Sequence, residues 1–348
     1  MAHEIGILTA SGKPGRLGGN RANFARVCRE AKRSGVDCAV FNIDPHGTVT
    51  SYGWESGERA FRLVRRPLPP VLYNRIPLRS WEQRPDTVRR FGEWEAQGRT
   101  VTNPRFLEKA ELGRLWAADD ALRPYVPAQE AWGTPGQLAA FAERHGSVYV
   151  KPRAGKAGVG IVRVRRRSGR HGGGYEAVIQ QAGATRARTG LSASELERWL
   201  WKPYAYLLQE EVECALVDGR KFDLRLLFHR APDGAMSLTG TGVRVGPAGG
   251  ITTHVPNGGM LARAGDVLPT VFGAGAGRIR DVAERVAQQA AGAVTALPGV
   301  WCELSLDVGL SRNGEPRLFE ANAKPMKFDE TRIEERAKQR LVELLAAL

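Results

Sequence analysis

Three oxygen-bearing side chains near the end of the chain have the spacing of a cation site. Asp307 lies late in an apolar stretch, a turn follows over 312–316, and Glu320 and Asn322 lie two residues apart in the next stretch. In a β-hairpin, Glu320 and Asn322 share one face of the returning strand, and Asp307 lies beside them. Such oxygens suit a hard cation such as Mg²⁺ held against phosphates. The alternative is the solvent face of a half-buried strand, which is the commoner reason for an isolated Glu-x-Asn pair.

A second pattern is a lysine at the end of an apolar stretch, followed by glycines. Lys151 precedes Pro152, and Lys156 follows within a segment that contains Gly155, Gly158 and Gly160. Glycines let backbone amides approach an anion without interference from a Cβ. No Gly-Lys-Ser/Thr opens a helix here, so this is not a P-loop. The alternative is a hairpin turn with a lysine that reaches solvent.

A third pattern lies between residues 207 and 259. Asp223 and Arg225 share a strand face, where a carboxylate suits ribose hydroxyls and a guanidinium suits phosphate or an acyl-phosphate. The stretch 244–259 is too rich in glycine and polar residues to be core. Arg244 could clamp a carboxylate, and Asn257 with the following glycines could donate to an oxyanion. The alternatives are a surface ion pair and a mobile surface loop.

Strands and helices are predicted to alternate in the first hundred residues, which precede all of these motifs. Apolar stretches predict strands at 4–10, 37–43 and 71–76, and helical spacing predicts helices at 20–34 and 86–97. This order indicates a parallel sheet with helical crossovers. A helix is also predicted to open at Asn103 and Pro104, and another at a capping box from Thr134 to Gln137.

The rest of the chain has the pattern of antiparallel sheets. Short strands at 147–152, 161–165 and 175–179 predict a meander, and Ser192 to Glu195 predicts a capped helix. Later strands are predicted at 204–209, 222–229, 236–245, 301–309 and 316–321, and helices at 277–296 and 329–347. These changes predict three domains: 1–103, 104–206 and 207–348.

Charge and sequence patterns argue against a nucleic-acid-binding protein and against a membrane protein. The 348 residues include 51 basic and 37 acidic side chains, a net charge of +14, yet no zinc-finger, basic-zipper or RNA-binding pattern accompanies it. Nucleic acid is therefore not expected as the main partner. No run approaches the roughly 18 apolar residues that span a bilayer, and the start has no signal-peptide pattern. Four scattered cysteines predict reduced thiols in a cytoplasmic protein: Cys28, Cys38, Cys214 and Cys302.

The order of these motifs resembles the ATP-grasp superfamily. The spacing of residues 307, 320 and 322 looks like that of the D-alanine–D-alanine ligase branch. Five segments resemble the endospore coat-associated YheC/YheD-type family: 5–9, 71–75, 103–109, 219–225 and 252–259. The resemblance covers nearly the whole chain.

The resemblance implies a fold and a reaction. The fold would be an α/β and α+β ATP-grasp architecture, with a Rossmann-like N-terminal domain and two lobes that clasp ATP. The reaction would be ATP- and Mg²⁺-dependent C–N ligation through an acyl-phosphate, with Mn²⁺ as an alternative ion. The partners would be a small-molecule or peptide carboxylate and an amine, with no membrane. A homodimer and spore association are left open.

The resemblance also assigns roles to residues. Phosphate-binding residues would be Lys109, Lys151, Gly155, Lys156, Gly158 and Gly160. Adenosine would contact Gln209, Glu210, Val212 and Asp223, and the cation would be held by Asp307, Glu320 and Asn322. Arg225 and Arg244 would be catalytic, and the substrate would contact Arg244, His254, Asn257, Gly258 and Gly259.

The chain departs from the ligase branch at one position. That branch has an arginine two residues before its first metal aspartate, where this chain has Ser305. Arg225 or Arg244 would have to stabilise the tetrahedral intermediate instead. The alternative function is a structural, spore-associated ATP-binding protein without turnover.

Overall fold

The computed structural model describes residues 4–153, 155, 158–167, 174–181, 183–200, 205–326, 328 and 330–348. Within those residues the chain forms three β-sheets of six strands each. The sheets follow one another along the chain, and helices pack against them. The first sheet is mainly parallel, and the other two are antiparallel. The predicted combination of an α/β domain with two α+β lobes is confirmed.

The first sheet has the strand order β4-β3-β2-β1-β5-β6. Strands β1, β2, β5 and β6 are parallel, as the alternation of strand and helix predicted. The antiparallel pair β3 and β4 was not predicted, because it is half exposed and carries a weak apolar pattern. The elements are β1 Glu4–Ala10, α1 Arg21–Arg33, β2 Asp37–Ile43, β3 Val49–Glu55, β4 Ala60–Val64, β5 Val71–Asn74, α2 Arg79–Glu82, α3 Pro85–Ala96 and β6 Thr100–Thr102.

The second sheet has the order β11-β10-β9-β8-β12-β7 and contains the predicted meander. The predicted helix cap at Ser192 is confirmed, because the Ser192 amide donates to Glu195 at 2.9 Å and the Glu195 amide donates to the Ser192 hydroxyl at 3.3 Å. The elements are α4 Lys109–Ala118, β7 Gln129–Ala131, α5 Gln137–His145, β8 Ser147–Pro152, β9 Val162–Arg167, β10 Gly174–Gln181, β11 Ala184–Leu191, α6 Ala193–Leu200 and β12 Tyr206–Glu210.

The third sheet has the order β16-β15-β14-β17-β18, with β13 beside β14. Leu224, Leu306 and Val243 on one face pack with Ala287 and Ala290 of α8. The opposite face carries the polar residues of the predicted site. The elements are β13 Leu216–Val217, β14 Arg220–Arg230, β15 Met236–Val245, β16 Met260–Arg263, α7 Ala264–Phe272, α8 Ala276–Val294, β17 Glu303–Leu310, β18 Pro316–Asn322 and α9 Thr331–Ala347.

The helix predicted at Asn103 is wrong: helix α4 begins at Lys109. Asn103 is fully buried, with φ +49°, and its Oδ1 accepts a hydrogen bond from the Cys302 amide at 2.8 Å. Its side chain therefore joins the first domain to the third sheet and does not cap a helix. The other predicted start moves by a few residues: α5 begins at Gln137, whose Oε1 accepts from the Thr134 amide at 3.2 Å.

Two helices connect the parts of the chain. Leu112 and Trp116 of α4 pack in the core of the third sheet, and the Trp116 indole donates to the Ala290 carbonyl at 3.0 Å. Leu341 and Leu345 of α9 pack against the first sheet. The domain borders near 103 and 206 stay predictions.

Candidate active site

The strand register of the third sheet brings the predicted charged residues together in neighbouring pairs. Asp223 lies opposite Arg244, Arg225 opposite Asp307, and Asp307 opposite Glu320. Asn322 lies opposite Ser305, one step further along the hairpin. The predicted hairpin of Asp307, Glu320 and Asn322 therefore exists, and one polar row crosses four adjacent strands.

Arg244 is the centre of this row and is almost fully buried. Its Nε and Nη2 donate to the two carboxylate oxygens of Asp223 at 2.9 Å each, and Nη2 is 2.8 Å from Asp307 Oδ2. The Thr253 hydroxyl donates to Asp223 at 2.5 Å. Burial opposes the charge of Arg244, but Asp223 and Asp307 raise its pKa well above the usual range. Because two carboxylates occupy its fork, Arg244 as a substrate clamp stays a prediction.

Arg225, unlike Arg244, has a guanidinium nitrogen that lacks a partner among the described residues. Its guanidinium lies 5.0 Å from the ring of Phe328, and the unpartnered nitrogen is the buried Nε. Burial lowers its pKa, while Asp307 opposes that effect. The Ser305 hydroxyl, two residues before Asp307, is also buried and unpartnered within the part of the chain that the structure describes. In the strand register, Arg225 lies opposite Asp307 and Ser305 lies opposite Asn322.

A group of three side chains could hold a cation. One ligand atom from each of His254, Asp307 and Glu320 lies within 4.8 Å of the others. Asp307 Oδ1 and His254 Nδ1 are buried without hydrogen-bond partners in the described structure. An unpartnered carboxylate oxygen and an unpartnered imidazole nitrogen beside the Glu320 carboxylate fit a divalent ion. Asn322 donates its amide to Glu320 Oε1 at 3.0 Å, so it orients that carboxylate in this structure.

Two of the lysines predicted to bind phosphate, Lys109 and Lys151, lie near Glu320. Lys109 Nζ is 3.0 Å from Glu320 Oε2, and Lys151 Nζ donates to Gln209 and lies 5.5 Å from the Phe319 ring. Burial and the neighbouring Lys109 lower the pKa of Lys151 to about 8, although Glu320 opposes them. Burial disfavours the charge of Glu320, but Lys109 and His254 hold its pKa well below the usual range. The carboxylate is thus ionised beside two cationic groups.

A cavity of about 90 Å³ lies between the second and third sheets. Its lining includes the residues predicted to bind adenosine: Gln209, Glu210, Val212 and Asp223. Apolar walls flank them, from Tyr149, Ile161, Phe222, Ile251 and Phe319. Drug-sized ligands occupy sites of about 300 Å³ or more. A nucleotide would therefore need the two sheets to separate.

The sequence did not point to Lys221, which lines the same cavity, or to its ion-pair partner Glu211. Lys221 Nζ is 2.6 Å from Glu211 Oε1 and donates to the Tyr149 hydroxyl at 2.8 Å. Burial would raise the pKa of Glu211, but Lys221 lowers it to about 2. Ion pairs between distant strands leave no periodic signal in a sequence.

The glycine-containing loops of the two lobes contact each other. Gly158 has φ +72°, and a Cβ there would lie 2.8 Å from His254 Nδ1 and 2.9 Å from Asn257 Nδ2. Gly258 has φ +87°, and a Cβ there would meet Gly183 Cα at 2.8 Å. Glycine is required at both positions by conformation and by space. Gly155 and Gly160 lie near Pro152, whereas Lys156 lies outside the described residues.

The segment from Thr252 to Gly259 is packed, and the alternative of a surface loop does not hold for its buried residues Thr252, Thr253 and Asn257. Asn257 is 4% exposed, and its carbonyl accepts from Gln180 Nε2 at 2.7 Å. Gln180 Oε1 accepts from the amides of Ile251 and Thr252 at 2.7 and 2.9 Å. A Cβ at Gly259 would lie 2.1 Å from the Thr253 carbonyl. Gln180 was not predicted, because only the fold brings β10 to this segment.

Two antiparallel lobes that close on lysines, arginines and carboxylates, behind a mainly parallel N-terminal sheet, define an ATP-grasp fold. The chain belongs to the YheC/D-like ATP-grasp family, whose family model matches residues 98–347. This agrees with the resemblance that the motifs suggested.

Known proteins resemble the chain in sequence and in fold. The endospore coat-associated protein YheD of Bacillus subtilis (strain 168) is 24% identical over 330 residues, which are 87% of this chain and 67% of that protein. The D-alanine-D-alanine ligase from Coxiella burnetii superposes with a TM-score of 0.58 at 12% identity, over 99% of this chain and 94% of that one. The VanG D-Ala:D-Ser ligase from Enterococcus faecalis has a TM-score of 0.58 at 11% identity, over 99% and 98%. At these identities the two structures support the fold alone.

No helix among the described residues has both the length and the apolar character needed to cross a lipid bilayer.

Proposed function

We propose that the chain is an ATP- and Mg²⁺-dependent ligase that joins a carboxylate to an amine. The observation that carries this proposal is the row Arg244–Asp223–Arg225–Asp307–Glu320, flanked by Lys109 and Lys151. Phosphoryl transfer needs positioning and neutralisation of charge more than covalent participation by the protein. Two lysines, a guanidinium with an unpartnered Nε and an acidic pair supply those needs.

The reaction would have two steps. A carboxylate oxygen attacks the γ-phosphorus of ATP, and ADP leaves, so an acyl-phosphate forms. The amine nitrogen then attacks the acyl carbon, phosphate leaves, and the nitrogen loses a proton. Lys109 and Lys151 would neutralise the phosphates during the first step, and Arg225 would stabilise the oxyanion of the second. Arg225 is better suited than Arg244, because the fork of Arg244 is occupied by Asp223 and Asp307.

Asp307, Glu320 and His254 would hold the divalent ion, with Asn322 orienting Glu320. The ion would neutralise charge on the β- and γ-phosphates. In the same proposal Gln209, Glu210 and Val212 would contact adenine. Asp223 would accept from a ribose hydroxyl, because its Oδ1 has a further lone pair beside its bond to Arg244. The Asn257 side-chain amide would donate to the bound acid. Gly258 and Gly259 would lie against it without donating, because their own amides donate to the Val255 and His254 carbonyls.

A screen for ADP release tests the proposal. Candidate amino acids and short peptides are offered as the acid, with hydroxylamine as a small nucleophile that converts an acyl-phosphate to a hydroxamate. The proposal expects Mg²⁺-dependent ADP and hydroxamate in equal amounts with one class of acid. Mg-ATP binding without ADP release from any acid or peptide would instead support the structural ATP-binding alternative. The name of the YheD relative motivates a further proposal, that the protein acts during spore formation.

A further inference from the structure

Two connected grooves lie beside the catalytic face, outside the nucleotide cavity. One has a volume of about 360 Å³ along β15 and α8, and the other has about 740 Å³ beside β16 and the start of α9. Arg263 and Glu330 line both grooves, so the two form one continuous surface depression. The site described above uses neither residue.

Glu330 connects this depression to the row of charged residues that crosses the third sheet from Arg244 to Glu320. A Cβ built on Gly242 would lie 2.5 Å from Glu330 Oε1, so the carboxylate lies directly over Gly242. Gly242 is the register partner of Arg225. Glu330 Oε1 is buried and has no hydrogen-bond partner among the described residues. A buried acceptor without a donor is destabilising, so a donor supplied by a bound ligand is the simplest reason to keep it.

Apart from Glu284, the other charged side chains that line the depression are arginines. Arg263, Arg332 and Arg336 have no carboxylate within ion-pair distance in the described part of the chain, and Arg280 has only distant ones, at 3.7 and 3.9 Å. Strand β16 is the edge of its sheet, with Met260 and Leu261 exposed. Unpaired guanidiniums along a groove beside an open strand edge complement an extended chain that carries carboxylates.

We propose that this depression binds the amine acceptor, that Glu330 holds its ammonium group, and that the acceptor is an acidic peptide whose carboxylates contact the arginines. The inference rests on the proposed ligase function and names its second substrate. Glu330 would first take one proton from the ammonium, so that the free amine can attack the acyl carbon; the second proton would leave with the departing phosphate. Arg225, on the strand next to Gly242, would stabilise the oxyanion.

Binding of two synthetic peptides tests the proposal without knowledge of the acid. Triglutamate and N-acetyl-triglutamate are titrated calorimetrically into the full chain in the presence of Mg-ADP. The free amine should bind at least about tenfold more tightly than the acetylated one, because one charge-assisted hydrogen bond is worth about 1.5–3 kcal/mol. Glu330→Gln should remove this discrimination. Glu335→Gln, an exposed position on the same helix, should retain it.

Arg332→Ala and Arg263→Ala should weaken the binding of both peptides by a similar factor, because these arginines would contact the carboxylates. The ratio of the two affinities should therefore stay unchanged. Failure of the wild-type chain to bind triglutamate, or equal affinity for both peptides, overturns the proposal. Retained discrimination in Glu330→Gln also overturns it. A thermal shift with Mg-ATP, measured on the same samples, separates these outcomes from failure of the ligase proposal, which predicts that shift whatever the peptide does.

Discussion

Arg244 donates Nε and Nη2 to the two carboxylate oxygens of Asp223 at 2.9 Å each. The same Nη2 is 2.8 Å from Asp307. One guanidinium therefore joins strands β14, β15 and β17 at the point where the lobes meet. The planar fork makes this geometry possible, and an ammonium cannot reproduce it.

Arg244→Lys should lower the stability of the fold and weaken Mg-ATP binding. Lysine keeps the charge but loses the paired hydrogen bonds, and two buried carboxylates are left without full partners. We expect the free energy of unfolding to fall by about 1–3 kcal/mol. Urea denaturation and calorimetric titration with Mg-ATP measure both effects. Arg280→Lys, at an exposed position of α8, is the matched control, and an equal loss in that variant would contradict a special role of Arg244.

Glu320→Gln should reduce acid-dependent ADP release at least about 100-fold, the scale of single electrostatic groups in catalysis. The substitution keeps the shape but removes the charge that faces Lys109 and the cation ligands. Glu315→Gln, in the adjacent turn, should leave turnover unchanged. Turnover near wild type in Glu320→Gln would mean that the cation is held elsewhere.

Binding of Mg-ATP should be accompanied by proton uptake at high pH. The pKa of Lys151 is lowered to about 8, so at about pH 9 its amine is mostly neutral. Bound phosphates favour the ammonium form and raise that pKa again, so the complex takes up a proton. At about pH 6.5 the lysine is already protonated, and this uptake vanishes.

Calorimetry in buffers of different ionisation enthalpy measures the uptake. Lys151→Arg should abolish it, because the guanidinium stays charged. Lys324 also has a pKa lowered to about 8, by burial, but it pairs with Glu82 away from the nucleotide cavity. Uptake that persists in Lys151→Arg would assign the proton to another group.

His254 should give the cation site a nitrogen ligand. Mn²⁺ bound at the site should then show a ¹⁴N coupling in pulsed electron paramagnetic resonance, and His254→Asn should remove it. Affinity for Mn²⁺ should fall more than affinity for Mg²⁺, because imidazole suits transition ions better than Mg²⁺. His145→Asn, on α5, serves as control. A signal identical in wild type and His254→Asn would place His254 outside the ligand set.

The sequence predicted best what depends on strand period and turns. Glu320 and Asn322 share a face because they lie two apart, and the intervening turn returns the chain beside Asp307. The bond of Asn103 to Cys302, the contact of Gln180 with Asn257 and the ion pair of Glu211 with Lys221 depend on tertiary packing. Such contacts have no local pattern, so the position of His254 beside Glu320 was also not predicted.

The most direct test of the central claim is the effect of Mg-ATP on the stability of the full chain. Saturation at about 100 times the dissociation constant should stabilise the fold by about 2.7 kcal/mol through linkage. The shift should require both Mg²⁺ and ATP and should be reduced in Glu320→Gln, because that variant lacks a cation ligand. No shift with saturating Mg-ATP, or an equal shift in Glu320→Gln, would contradict the assignment of this cluster as an Mg-ATP site.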